Sequence, residues 1–236
     1  MDSHCGYTLP ISLTANQRTN FSLQIDADSD FIIEKVYSNE TGPFKLMIID
    51  TTSNYQWFSD RVRMENFFGS AQYPNELPVP IGLRRSTQLQ IDIQDLTGAP
   101  NEIELVFEGL RQIAPIAPVT RRYYGYVKDF SVAPLDNIQD TLITSADADF
   151  SIERFIAYTD QDYQTKLKMS LSSLVARQIY SQFTFLENVF GSVLRPNNLR
   201  HPLPMPKNSI AKFEIKNLDN NPHTLQLLLD GVKVWS

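Results

Sequence analysis

One pattern is written twice in this chain, and that restricts its fold more than any other feature. Residues 87–111 align with residues 209–233 at a constant offset of 122, without a gap over 25 positions. Ile93/Ile215, Leu96/Leu218, Pro100/Pro222, Leu105/Leu227 and Gly109/Gly231 are identical, and Ile91/Phe213, Asp92/Glu214, Ile103/Leu225 and Arg111/Lys233 keep their class. Three blocks upstream repeat in the same order. Residues 27–34 (ADSDFIIE) match 146–153 (ADADFSIE), 65–70 (ENFFGS) match 187–192 (ENVFGS), and 77–80 (LPVP) match 203–206 (LPMP). A period this long means one supersecondary unit built twice, and 236 residues suffice for two cores. The repeat divides the chain into an N-terminal arm (1–18), a first unit (19–113), a linker (114–137) and a second unit (138–236).

Inside each unit the hydrophobic period is two. Leu89, Ile91 and Ile93 alternate with Gln88, Gln90 and Asp92, and Ile103, Leu105 and Phe107 alternate with Glu102, Glu104 and Val106. Turn-forming residues 97–101 lie between, and the second copy repeats the pattern around 219–223. Earlier strands are predicted at 20–25, 31–37 and 44–50, and at 140–144, 150–158 and 166–171. Charges interrupt the alternation at Glu34-Lys35 and Glu153-Arg154, which predicts a β-bulge at the same place in both copies. Residues 172–190 carry helix-compatible spacing (Leu174, Val175, Ile179, Phe183), and a short helix is expected near 65–69 and 187–191. The expected fold is all-β, two tandem, internally duplicated jelly-roll or Greek-key β-sandwiches, with an immunoglobulin-type sandwich as the alternative strand order.

Composition narrows the role. Fourteen prolines against nine glycines suit a turn-rich β protein. The single Cys5 allows no intrachain disulfide, and with His4, His201 and His223 it falls short of a zinc site. No apolar run reaches the length needed to span a bilayer, and no secretion signal is expected at the N-terminus. A net charge of −6 argues against nucleic acid as a partner.

Motifs for chemistry are sparse. Asp26, Asp28 and Asp30, with Asp147 and Asp149, offer oxygens to calcium, but the glycine and glutamate of an EF-hand loop are missing, so a solvated turn with capping aspartates is the preferred reading. The histidines and Cys5 form no nucleophile–base set and are read as structural or surface groups, His4 and Cys5 in a mobile arm. Glu102, Glu104 and Glu108 fall on the polar phase of a strand, where a glycosidase pair is not expected. No glycine-rich phosphate loop occurs. No catalytic residue, metal or cofactor is therefore expected. The aromatic clusters Tyr55, Trp57, Phe58 and Tyr123, Tyr124, Tyr126, the latter beside Arg121 and Arg122, are the interface candidates. They are read as packing a seam between the sandwiches, as a subunit contact, or as a platform for glycans. Charge separates the copies: residues 1–113 carry 8 Lys/Arg against 15 Asp/Glu, and residues 138–236 carry 10 against 10.

The series ENFFGS (65–70), LPVP (77–80), an alternating strand, DLTGAPN (95–101) and LVFEGLR (105–111) resembles a module of tailed-bacteriophage virion proteins. Its second copy runs through 187–192, 203–206, 217–223 and 227–233. The resemblance implies a non-enzymatic capsid accessory or decoration subunit with a jelly-roll fold, made in the host cytoplasm and located in the virion. The expected partners are further copies of the chain and other virion proteins, the major capsid protein first. No nucleic acid or membrane is expected, and the arm and linker are the expected assembly contacts. The alternatives are a carbohydrate-binding or adhesion module, a double jelly-roll capsid protein, and a hydrolase with a hidden carboxylate pair.

Overall fold

The computed structural model describes residues 3–116, 120–160, 164–172, 176–180 and 182–235. The chain divides into two compact units, residues 1–125 and 126–236.

The first unit contains β1 (Ser3–Leu13), β2 (Arg18–Gln24), β3 (Asp30–Glu40), β4 (Phe44–Asp50), β5 (Tyr55–Gln56), β6 (Val62–Arg63), the one-turn helix α1 (Met64–Phe67), β7 (Asn75–Leu83), β8 (Gln88–Asp95) and β9 (Asn101–Gln112). One sheet has the order β1-β9-β3-β7 and the other β2-β8-β4-β5, with β6 also on β4. Successive long strands alternate between sheets, and neighbouring strands within each sheet run antiparallel. That winding of two Greek keys is a jelly roll, which replaces the immunoglobulin-type alternative.

The second unit repeats the winding with β10 (Arg121–Val132), whose first five residues belong to the first unit, β11 (Asn137–Ile143), β12 (Asp149–Thr159), β13 (Thr165–Ser172), β14 (Ala176–Gln178), β15 (Thr184–Phe185), β16 (Asn197–Met205), β17 (Ile210–Asn217) and β18 (His223–Val234). Its sheets are β10-β18-β12-β16 and β11-β17-β13-β14, with β15 on β13. A 3₁₀ turn, Leu186–Asn188, stands where the first unit has α1. Of the predicted helical spacing over 172–190, Leu174 and Val175 lie outside the described residues. The rest forms two short strands and this turn.

Period-two burial explains the strands. Leu89, Ile91 and Ile93 of β8 are 0% exposed, as are Ile215 and Leu167 of the second unit, while their polar neighbours face outward. Phe31, Phe44, Phe67 and Phe107 fill the first core; Phe150, Phe155 and Phe213 fill the second.

Both predicted bulges are present. β3 shifts register between Ile33 and Lys35, and β12 between Ile152 and Arg154. Opposite them lie the two repeated glycines. A Cβ on Gly109 would sit 1.9 Å from the Ile32 carbonyl oxygen, and one on Gly231 would sit 2.0 Å from that of Ser151. No side chain fits where a bulged strand leans this close to its neighbour.

The edge strands β7 and β16 hold Pro78 and Pro80, and Pro202 and Pro204, which have no N–H to offer a further strand at those positions. Their pairing corrects the alignment of 77–80 with 203–206. Ile33 faces Ile81 and Ile152 faces Leu203, so Leu203 corresponds to Ile81 and not to Leu77. The offset of 122 therefore holds from residue 65 through 111.

The arm and linker need a larger correction. Residues 3–13 are β1, paired antiparallel with β9 from Ser3 opposite Arg111 to Leu13 opposite Asn101. Residues 121–132 are β10, which holds the same position beside β18. Both are outermost members of a sheet, so neither is a loose extended segment. The signal was in the sequence: Gly6-Tyr7 with Ser12-Leu13 matches Gly125-Tyr126 with Ser131-Val132, at the offset of 119 shared by the 27–34 block.

Replacing Gly231 with Ala forces the bulge apart at a cost of about 3 kcal/mol, which lowers the melting temperature by about 10 °C. Gly6→Ala, whose Cβ would meet nothing closer than 3.8 Å, leaves it unchanged; thermal unfolding by circular dichroism checks both.

Candidate functional site

The acidic runs are tethers. Arg111 reaches back from β9 to Asp28 at 2.6 Å, Asp26 at 3.1 Å and the Ser29 hydroxyl at 2.6 Å. Lys233 makes the equivalent bond to both oxygens of Asp147 at 3.1 Å. The hydrogen bond from Arg111 holds the Asp28 carboxyl below its usual range. Asp30 is buried and accepts the Arg85 and Ile116 backbone N–H groups at 2.8 and 2.7 Å. Burial pushes its pKa up, but these bonds and the Arg85 guanidinium outweigh that and leave it lowered. Asp149 repeats the role by accepting the Lys207 N–H at 3.0 Å. Protein donors thus occupy one oxygen of Asp26, one of Asp28 and both of Asp30 and Asp147. Among the described residues no three His, Cys, Asp or Glu side chains gather as a metal site.

The aromatic candidates go mostly inward. Trp57, Phe58 and Tyr123 are 1%, 0% and 2% exposed. They pack edge-on within the first unit, Phe58 against Phe67 at 4.8 Å and Tyr123 at 6.0 Å, and Trp57 against Phe107 at 6.3 Å. Tyr124 is buried and meets Tyr55 edge-on at 6.3 Å. Tyr126 belongs to the second unit and is the repeat of Tyr7. Each ring stands edge-on to a phenylalanine at 4.8 Å, Tyr126 on Phe150 and Tyr7 on Phe31. Each hydroxyl accepts a loop N–H, from Ser145 at 2.7 Å and Asp26 at 3.2 Å. These rings are core and corner residues, and offer no broad face to a sugar.

Tyr55, Arg121 and Arg122 stay nearer the surface. They line a cavity of about 600 Å³ in the first unit together with Trp57, Tyr123 and Arg84. The Arg122 guanidinium lies 5.1 Å over the Tyr55 ring, and the Tyr55 hydroxyl donates to the Tyr123 carbonyl at 3.0 Å. Nothing in the sequence around Arg84 marks it for this site. It enters the cavity at the end of β7, which only the folded sheet brings there.

The histidines divide. His4 is exposed on β1, 3.4 Å from Glu108, and His201 is exposed on β16. His223 is 0% exposed, with Thr165 Oγ1 and Asp219 Oδ2 each at 3.3 Å from its ring nitrogens. Hydroxyl, imidazole and carboxylate thus stand in line, but Thr165 is also 0% exposed, so the group closes a hairpin and admits no substrate.

A cation just past the bulge faces an acid on the last strand in both units. In the first, Lys35 lies 4.0 Å from Glu108, and both reach solvent. In the second, Arg154 pairs with Asp230, at 4% and 0% side-chain exposure. Around them Ile156 and Leu228 are buried where the first unit presents Tyr37 and Val106, partly open. One scaffold therefore carries a solvated charged face in one copy and a desolvated one in the other.

No family model matches the chain, and no curated protein matches it. Solved structures similar in fold include one from Sulfolobus turreted icosahedral virus (10% identity, 98% of this chain and 60% of that one, TM-score 0.35). A second is from an archaeal virus described by a triple jelly-roll fold and turret assembly (10%, 96% and 59%, 0.33). A third is the extracellular domain of ANXUR2 from Arabidopsis thaliana (7%, 95% and 83%, 0.28). The chain spans about 60% of the length of the two viral structures. At these identities the likeness is one of β architecture.

Arg154→Met strands a buried carboxylate and costs about 3–5 kcal/mol, whereas Arg154→Met with Asp230→Leu regains most of it; chemical denaturation of the single and double variants checks this. Adding calcium leaves the melting temperature unchanged, since a ligand that binds only the folded chain would raise it.

Proposed function

We propose that the chain is a non-enzymatic structural subunit of a virus particle, of the capsid accessory or decoration kind, which forms a homo-oligomer and attaches to the head shell. What carries this reading is the division of labour between repeated and unrepeated residues. The repeated ones hold backbone geometry: the bulges with Gly109 and Gly231, the Tyr7 and Tyr126 corners, and the Arg111 and Lys233 tethers. The unrepeated ones alter the outward faces, as where Tyr37 and Val106 accompany an exposed Lys35–Glu108 pair and Ile156 and Leu228 a buried Arg154–Asp230 pair. A scaffold duplicated for its shape and diversified on its surface suits docking by complementary surfaces. The phage-like motif series falls on the same architectural positions and adds the virion as the setting.

Two complete jelly rolls in succession also favour a second reading, a double jelly-roll shell protein. Light-scattering mass of the purified chain, alone and with particles lacking it, separates the two. The accessory reading expects a small discrete oligomer that saturates the particles at fixed stoichiometry. Closed shells formed by the chain alone establish the second reading, and a monomer indifferent to particles defeats both.

A further inference from the structure

The cavity of the first unit is unlike the rest of its surroundings. Residues 1–113 are acidic overall, yet Arg84, Arg121 and Arg122 all line this one hollow of about 600 Å³. Its single carboxylate, Asp50, is spent on its own turn, accepting the backbone N–H groups of Thr52 at 2.9 Å and Ser53 at 3.2 Å and the Ser53 hydroxyl at 2.5 Å. Arg122 is held in place by the Tyr55 ring and by a 3.3 Å bond to Ser53, so one guanidinium is fixed in position. The second unit does not repeat the set: at the offset of 122, Pro206 stands where Arg84 does. The basic hollow is thus an addition to the scaffold.

Two further features select an occupant. Residues 79–83 on one wall belong to β7, and Tyr55 belongs to β5. Among the described residues both strands are outermost in their sheets, so the outer backbone edges of β7, apart from Pro80, and of β5, up to Trp57 where Gly125 bonds, run beside the cavity. The ring faces are not open, because Trp57 is 1% exposed and Arg122 lies over Tyr55. Edge-strand backbone with one fixed guanidinium and two more beside it fits an extended chain bearing carboxylates better than a sugar that must stack.

We infer that this groove binds an acidic peptide segment in extended form, its carboxylates meeting Arg84, Arg121 and Arg122 and its backbone lying along β5 or β7. The source of that segment, a neighbouring virion subunit, rests on the proposed function; the chemistry of the groove does not.

The test is fluorescence polarisation of the full chain with a labelled peptide of alternating Glu and Val, beside its Gln/Val isostere and an oligogalacturonate competitor. The Glu peptide binds at low salt, the isostere does not, and added salt weakens binding. Arg84→Gln and Arg122→Gln each weaken it about tenfold, as loss of one charge-assisted hydrogen bond does, while Arg122→Lys retains part of it. Arg84 is exposed and Arg84→Gln keeps the wild-type melting temperature, so it carries the test if Arg122→Gln unfolds. Equal binding of the isostere, no effect of Arg84→Gln, no binding at millimolar peptide, or tighter binding of the uronate overturns the inference. A chain that ignores particles yet binds the Glu peptide defeats the assembly reading and leaves the groove; the reverse result defeats the groove alone.

Discussion

The close approach of a bulged strand to a glycine is the constraint on which each unit turns. At Gly109 and Gly231 the facing carbonyl comes so near that only a hydrogen can stand there. That contact sets the register of the strands on either side, and the extra residue of the bulge re-aims the side chain that follows it. Lys35 and Arg154 are those side chains, and the partners they meet, Glu108 and Asp230, adjoin the glycines themselves. Backbone geometry and surface electrostatics are thereby coupled at one point in each sheet. A change in the environment of that point converts a solvated pair into a buried one without disturbing the winding.

Much of the architecture was legible in the sequence. The repeat, the alternation and the interrupted alternation at Glu34 and Glu153 led to tandem sandwiches and to bulges in the right places, because burial on one face of a pleated strand imposes a period of two. Three things were hidden for physical reasons. Residues 3–13 read as a loose arm because their inward side chains near the start are half-open and Pro10 interrupts them, as an edge strand allows. Residues 77–80 and 203–206 look alike, but a four-residue slip separates them, and only hydrogen-bond register reveals it. Clusters of aromatic residues cannot declare from composition whether they face water. Trp57 and Phe58 lie on a short connection that folds under the sheet.

The candidate site was legible in part. Tyr55 is far in sequence from the adjacent Arg121 and Arg122 and does come together with them, whereas Arg84 joins them through the end of β7, a placement no local pattern encodes. The aspartates read as caps of a solvated turn; Asp30 and Asp149 do accept backbone N–H groups, but Asp30 is buried, and Asp26, Asp28 and Asp147 are held by a cation instead. Arg111 and Lys233 lie about 85 residues further along the chain, and their equivalence had already been visible as a conserved charge in the repeat.

The pairing of β1 with β9 has a consequence for how the chain is made. The first strand of this unit finds its neighbour in the last, with Ser3 beside Arg111, and β10 stands beside β18 in the same way. During synthesis from the N-terminus, neither sandwich can close until its final strand has left the ribosome, so each passes through a period with an open edge and an uncovered core. Division into two units shortens that exposure. The first can close while the second is still being translated, and the nascent chain never has to protect more than one unfinished sandwich at a time.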